Sequence, residues 1–198
     1  RGVERALKAG TTLASVLEIA AEIRRRSEIP LVLFTYLNPV LKYGFEALAR
    51  DAAAKGIDGC LLTDLSVEEA GRYVEMTRAQ GLDTVFLAAP TSTPERLKLV
   101  AQYSSGFVYM VSRTGVTGER EKVSSSAQPL INSMRAITNL PLALGFGISR
   151  PEHAAELSGK VEAIVVGSAI VRIIEQNADS PSLETCLEAF ARELRNAL

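Results

Sequence analysis

Two glycine-rich segments in the C-terminal third of the sequence have the composition of phosphate-binding loops. The segment GFGIS at 145–149 ends one apolar run, and GSAIV at 167–171 ends the next. Glycine lets the backbone approach a ligand closely, and a helix beginning at Ser168 would direct free N–H groups and its positive dipole end at an anion. For either segment alone, a tight turn and an ordinary N-cap are the favoured explanation. Together, the two segments favour a phosphate site.

Other polar residues follow apolar runs elsewhere in the chain. Tyr36 and Tyr109 could line a pocket that is partly aromatic and partly polar, or could belong to the core. Asp64 could hydrogen-bond a ligand or help to cap the helix that follows it. The segment 113–122 is polar and contains two glycines, so it could be an active-site lid or solvated surface. The single histidine, His153, is expected to be structural or solvated, so no metal site is predicted.

The elements that would position these residues alternate between β-rich and helical segments. Six nearly continuous apolar runs start 20 to 35 residues apart, as expected for parallel strands that are buried on both faces and joined by helices. The predicted strands are 31–36, 59–64, 83–89, 106–112, 141–148 and 161–167.

The segments between these runs have helical periodicity. Apolar residues recur at helical spacing over 13–23, and 45–55 repeats the pattern up to a C-cap at Gly56. The S-x-x-E sequences at 66–69 and 149–152 predict capping boxes.

Strict β/α alternation is typical of a doubly wound sheet or of a (β/α)₈ barrel. The G-x-G-x-x-G sequence of a dinucleotide-binding sheet is absent from the first βα turn. A barrel needs eight strands and about 250 residues, whereas six strands fit into these 198 residues. The prediction is a single α/β domain over 1–198, a (β/α)₈ TIM barrel lacking its first two strands, which we expect to precede residue 1.

Composition excludes several classes of function. The 22 basic and 23 acidic residues give a net charge of −1, so a basic face for nucleic acid is not expected. No apolar run has the ~20 residues that cross a bilayer, and no secretory signal opens the sequence. Cys60 and Cys186 are expected to be buried thiols in a reducing compartment. These features predict a cytoplasmic protein that binds neither nucleic acid nor membrane.

Five motifs in the same order resemble those of the tryptophan synthase alpha subunit over essentially the whole chain. They are TYLNPV at 35–40, TDLSVEE at 63–69, SRTGVTG at 112–118, GFGIS at 145–149 and GSAIV at 167–171. The resemblance implies a (β/α)₈ barrel that cleaves indole-3-glycerol phosphate to indole and glyceraldehyde 3-phosphate. It also implies an α2β2 heterotetramer whose β subunit receives the indole. The alpha chain itself would need no cofactor, because pyridoxal phosphate belongs to the β subunit.

The resemblance also implies roles for individual residues. It places the substrate phosphate at Gly118, Gly147, Gly167 and Ser168. It places the indole ring among Phe34, Tyr36, Leu61, Leu87 and Phe146, with Asp64 among the substrate-binding residues. Tyr109 would lie beside the glycerol phosphate, and Thr117 would orient a catalytic aspartate. Asn38 and the residues after it would face the β subunit.

Two departures from the family pattern are visible. Ser66 stands where the family commonly has proline, close to the expected β-subunit contacts. The family's acid/base pair, one glutamate and one aspartate, precedes the segment that residues 1–7 resemble, so no catalytic carboxylate is assigned here. The alternatives are a non-catalytic fragment that binds a phosphorylated ligand, or another phosphate-binding barrel such as an isomerase. SRTGVTG at 112–118 argues against the isomerase.

Overall fold

A computed structural model of the chain describes residues 2–111, 123–145 and 147–198. These residues form two compact units. Unit 1 consists of Arg1–Leu87 and Thr93–Val108, and unit 2 consists of Ala88–Ser92 and Tyr109–Leu198. The single domain expected from the sequence stays a prediction.

Unit 1 begins with two helices and continues as strands that alternate with helices. Its strands are β1 (Val32–Thr35), β2 (Gly59–Leu62) and β3 (Asp83–Ala88, whose last residue belongs to unit 2). Its helices are α1 (Gly2–Lys8), α2 (Leu13–Arg24), α3 (Leu37–Tyr43), α4 (Phe45–Ala54), α5 (Gly71–Ala79) and α6 (Pro94–Tyr103), with a 3₁₀ turn at Val67–Glu69.

The three strands of unit 1 are parallel neighbours in chain order. Phe34 of β1 pairs with Leu61 of β2, and Leu61 pairs with Val85 of β3. Neighbouring positions along β3 point to opposite faces, and Phe86 packs edge-on against Tyr73 of α5, with ring centroids 6.3 Å apart. Helices α5 and α6, through Tyr73 and Tyr103, therefore cover the Phe86 face, and Phe34, Leu61 and Val85 lie on the other face.

Unit 2 repeats the alternation. After β4 (Val108–Val111, whose first residue belongs to unit 1), its elements are α7 (Val123–Arg135), β5 (Leu142–Gly145), α8 (Pro151–Ala155), β6 (Ala163–Val165), α9 (Ser168–Gln176) and α10 (Leu183–Ala197). Strands β5 and β6 are parallel, and Gly145 pairs with Val165 at their ends. Helix α10 packs against α8 and α9.

An arginine fastens helix α2 to the connection between α4 and β2. The Arg24 guanidinium donates to the carbonyl oxygens of Gly56 (2.9 Å) and Ser27 (3.1 Å) and to Asp58 Oδ2 (2.6 Å). Asp58 Oδ2 also accepts the Leu31 N–H at 2.7 Å, just before β1. One guanidinium and one carboxylate thus hold the start of β1 and the start of β2 together.

A similar ion pair precedes β5 and β6 in unit 2. Arg135, at the end of α7, donates twice to the Glu162 carboxylate, and Glu162 Oε2 accepts the Leu142 N–H at 2.8 Å. These hydrogen bonds, Arg135 foremost, hold the pKa of Glu162 below its usual value.

All six predicted strands are present, and each is shorter than predicted. The capping boxes are wrong. Ser66 donates its hydroxyl to the Glu68 carboxylate and makes no cap to the 3₁₀ turn, as far as the described residues show. The N-cap of α8 is Arg150, one residue after the Ser149 that the box requires.

Both cysteines are free thiols, Cys60 buried and Cys186 half-buried. Within the described ranges, no helix combines the length and the apolar character needed to cross a membrane.

Candidate functional site

In unit 1, three of the predicted ligand-binding residues line one cavity of about 390 Å³ at the end of β1. They are Phe34, Tyr36 and Asp64. The two aromatic side chains are unusually open, with Phe34 58% and Tyr36 49% exposed. The rest of the wall is mainly apolar and includes Val3, Leu7, Leu13, Val16, Leu33 and Pro39. Such a surface suits a flat apolar ring, because most of its lining is carbon.

Leu61 and Leu87 lie on the same face of the sheet as Phe34. Leu61 is the direct β2 partner of Phe34, and Leu87 follows Val85, the β3 partner of Leu61, by two positions. Leu61 is buried and Leu87 half-buried. The structure therefore places three of the predicted indole contacts on the sheet face away from α5 and α6, with Tyr36 just past the end of β1. Their contact with indole stays a prediction.

The Asp64 side chain serves a different helix from the one expected. Its Oδ1 accepts the Leu37 N–H at 2.6 Å, which is the first amide of α3. The expectation that Asp64 caps the following helix is therefore wrong, because its carboxylate points back to the connection that follows β1. A direct contact between Asp64 and substrate stays a prediction.

In unit 2, Tyr109 of β4 lies across the end of β5. Tyr109 is 9% exposed, and burial raises the pKa of its phenol. A Cβ placed on Gly145 would stand 2.2 Å from Tyr109 Oη and 2.6 Å from Cζ. Only glycine leaves room for the ring here. The phenol stays protonated at neutral pH, so its O–H can donate a hydrogen bond.

The three described residues of the predicted phosphate site follow β5 and β6. Gly145 and Val165 are paired, so Gly147 and Gly167 each lie two residues beyond a paired position. Gly147 has φ +80°, which only glycine adopts readily. Helix α9 begins at Ser168, as predicted, and its N-cap is Gly167. Glycine has no side chain with which to cap the first amides of α9, so those N–H groups can bind an anion.

Three predicted site residues, Thr117, Gly118 and Phe146, lie outside the described residues. His153 was expected to be either structural or solvated, and it is structural. Its Nδ1 accepts the Ser149 N–H at 3.3 Å, in the connection that contains Gly147. The sequence analysis missed the target of Asp64 and the role of Thr63, which donates its N–H and its hydroxyl to the carbonyl oxygen of Thr35. The signal for Thr63 was a polar residue near the end of the predicted strand 59–64. In the part of the chain with assigned structure, no group of three His, Cys, Asp or Glu residues is arranged to hold a metal ion.

Comparison with known proteins gives one consistent result. The sequence profile of the tryptophan synthase alpha chain family matches residues 1–198. The tryptophan synthase alpha chain of Solibacter usitatus is 70% identical over 195 residues, a match that covers 98% of this chain and 73% of the relative. The alpha chain of Geobacter sulfurreducens is 43% identical over 195 residues, covering 98% and 74%.

The solved structures similar to this chain include tryptophan synthase from Pyrococcus furiosus. A chain from the α2β2 complex superposes with a TM-score of 0.89 at 39% identity, covering 98% of this chain and 77% of that one. The separately solved alpha subunit gives a TM-score of 0.87 at 39% identity, with the same coverage. This similarity confirms the predicted (β/α)₈ barrel class.

Proposed function

This chain belongs to the tryptophan synthase alpha chain family, and we propose that it takes part in cleaving indole-3-glycerol phosphate to indole and glyceraldehyde 3-phosphate. The observation that carries the proposal is the match of the family profile along residues 1–198. An isomerase on another phosphate-binding barrel is disfavoured by the same match.

The reaction is a retro-aldol cleavage, and its chemistry sets what a site must do. A proton is added to the ring carbon that bears the glycerol chain, which interrupts the aromaticity of the indole. A proton is removed from the hydroxyl on the adjacent carbon, the carbon–carbon bond breaks, and that carbon becomes an aldehyde. The site must therefore hold the ring and the phosphate firmly while two groups exchange protons with the substrate.

We assign the ring to unit 1 and the phosphate to unit 2. Phe34, Tyr36, Leu61 and Leu87 offer an apolar sheet face to the indole. Gly147, Gly167 and Ser168 offer backbone amides and a helix N-terminus to the phosphate. Binding measurements on Ser168→Asp test this assignment.

Tyr109 and Asp64 are polar residues of these two regions, and Thr11, Thr12 and Asn38 also line the unit 1 cavity. The protonated Tyr109 phenol can donate to the glycerol portion. Asp64 is the carboxylate among the residues that line the unit 1 cavity. By resemblance, the acid and base of the family precede the matched segment, and the role proposed for the residues above is to bind and orient the substrate.

We also propose a partner and a location. The Pyrococcus furiosus relative forms an α2β2 complex, and this chain would pair with a β subunit in the same way, through Asn38 and the residues after it. Pyridoxal phosphate would belong to that β subunit, and this chain would need no cofactor. Its two free thiols are compatible with a cytoplasmic location.

The test is an indole-release assay on indole-3-glycerol phosphate, without pyridoxal phosphate. One protein is residues 1–198, and the other is the same chain joined at its start to the segment of the Solibacter relative that the family resemblance expects to carry the acid and base. The joined protein should release indole, faster with a β subunit present, and residues 1–198 alone should not. Failure of the joined protein to release indole would contradict the proposed activity. Equal turnover by residues 1–198 would show that the added carboxylates are dispensable.

A further inference from the structure

Two consecutive residues after β2 hold the backbone on both sides of Tyr36. Asp64 Oδ1 accepts the Leu37 N–H at 2.6 Å. Thr63 donates both its N–H (3.1 Å) and its hydroxyl (3.3 Å) to the carbonyl oxygen of Thr35. Tyr36 lies between these two anchored peptide groups, so its backbone direction is set by the end of the neighbouring strand.

Asp64 also supplies a cap that helix α3 cannot provide for itself. The N-cap residue of α3 is Tyr36, in extended conformation (φ −115°, ψ 159°), and the described residues include no side-chain cap from Tyr36. A helix leaves its first amides without intrahelical partners, and a carboxylate beside them gains both a hydrogen bond and a favourable charge–dipole interaction. Asp64 does this from 27 residues away in the sequence.

The same residues form the wall of the cavity. Tyr36, Thr35 and Asp64 line it, and Tyr36 is 49% exposed. The ring of an exposed tyrosine has few packing neighbours to fix its position, so its placement depends strongly on the backbone that carries it.

We infer that Asp64 is a positioning residue for the indole-binding wall. By fixing the Leu37 amide, its carboxylate aims Tyr36 at the cavity, and it touches the substrate only through that residue. The identity of the substrate rests on the proposed function, but the position of the residue 36 side chain can be measured without substrate.

The absence of tryptophan from the sequence allows a direct measurement. A Tyr36→Trp substitution introduces the only indole side chain, and acrylamide quenching of its fluorescence reports how far it is exposed. Adding Asp64→Ala should raise the quenching constant towards that of free tryptophan. Asp64→Asn should leave it nearly unchanged, because the amide oxygen can still accept the Leu37 N–H.

A second variant removes the donor instead of the acceptor. Leu37→Pro deletes the N–H at the first helical position, where proline is well tolerated, and the extended Tyr36 is compatible with a following proline. Leu37→Ala is the matched control, since it shortens the side chain and keeps the N–H. Leu37→Pro should mimic Asp64→Ala, and the two together should have no more effect than either alone.

Ligand binding provides the functional measurement. In the chain that retains Tyr36, Asp64→Ala should weaken binding of an indole-alkyl phosphate by about 3- to 10-fold, the range of an ordinary net hydrogen bond, because Asp64 is exposed. Asp64→Asn should restore binding to within about threefold of the unsubstituted chain.

Three results would overturn the inference. The first is an unchanged quenching constant in both Asp64→Ala and Leu37→Pro, and the second is an additive effect of these two substitutions on quenching. The third is that Asp64→Asn binds the indole-alkyl phosphate as poorly as Asp64→Ala, which would indicate direct contact of Asp64 with substrate. If Asp64→Ala fails to fold, the Leu37→Pro and Asp64→Asn results decide. Quenching could respond as expected although neither the unsubstituted chain nor any variant binds the indole-alkyl phosphate. That result would support the positioning role of Asp64 and contradict the proposed function.

Discussion

The contact between Gly145 and Tyr109 predicts that a single methyl group at the end of β5 destabilises the protein. That methyl carbon would lie 2.2 Å from Tyr109 Oη and 2.6 Å from Cζ, well inside the ~3.5–4.0 Å of an optimal carbon contact. Gly145 is buried and Tyr109 is only 9% exposed, so neither group can easily move away. We predict that Gly145→Ala lowers the free energy of unfolding by about 1–3 kcal/mol, the usual cost of overpacking a core.

Gly167→Ala is the matched control. It is the same chemical change, after the adjacent strand β6, and the added Cβ would meet nothing within 4 Å. Its φ of −117° is accessible to alanine. Because alanine reduces the freedom of the unfolded chain, this substitution should be neutral or stabilise the protein by up to about 1 kcal/mol. Gly145→Ala should therefore destabilise the protein, and Gly167→Ala should not.

A double-mutant cycle identifies Tyr109 as the cause. Tyr109→Ala removes the ring, so adding Gly145→Ala to it should cost nothing further, and the coupling energy should be about 1–3 kcal/mol. Urea denaturation followed by circular dichroism measures all four proteins. Additive effects, within about 0.5 kcal/mol, would refute the argument from the contact. An equal loss of stability in Gly167→Ala would refute it too.

Three further predictions concern side chains away from the candidate site. Arg135 lowers the pKa of Glu162, so the ionised carboxylate stabilises the folded protein. The loss of unfolding free energy caused by Glu162→Gln should be largest at pH 7 and should shrink as the pH falls below ~4.3, the ordinary pKa of glutamate. A loss that stays constant with pH in urea titrations would contradict this. Arg24→Lys cannot reproduce the three hydrogen bonds of the guanidinium and should cost about 1–3 kcal/mol of stability. An unchanged urea midpoint would contradict this role of Arg24. Burial raises the pKa of Cys60 to about 12, so iodoacetamide at pH 8 should modify Cys186 alone in the native protein, as read by mass spectrometry; rapid double modification would contradict the buried environment.

The sequence was a good guide to the strands and a poor guide to side-chain partners. Parallel strands buried on both faces produce continuous apolar runs, so all six strands were predictable from 31–36 to 161–167. Their ends were predicted one to three residues too long, because hydrophobic loop residues such as Ile148 continue the run past the last paired position. The start of α9 at Ser168 was predictable because glycine and serine marked it.

Contacts between residues distant in the chain had no local signal. The Leu37 amide that Asp64 binds lies 27 residues earlier, and the Tyr109 ring that requires glycine at 145 comes from another strand. The capping boxes failed for a local reason. The Ser66 hydroxyl has Glu68 within reach and bonds to that carboxylate instead of to an amide.

Binding of an indole-alkyl phosphate to the Ser168→Asp variant is the most direct test that the substrate phosphate binds at the start of α9. Ser168 is the first residue of α9. A carboxylate there is favourable for the helix itself, but it opposes a bound phosphate dianion by about 2 kcal/mol if the charges lie ~4 Å apart in water, which is roughly 30-fold in affinity. Ser182→Asp is the matched control, because Ser182 is the exposed N-cap of α10 in the same unit.

The measurement is isothermal titration calorimetry on the unsubstituted chain and on both variants, with thermal unfolding as a check on folding. We expect the unsubstituted chain and Ser182→Asp to bind with the same affinity, and Ser168→Asp to bind about 30-fold more weakly. Equal affinity in all three proteins would contradict the assignment of the phosphate to the start of α9.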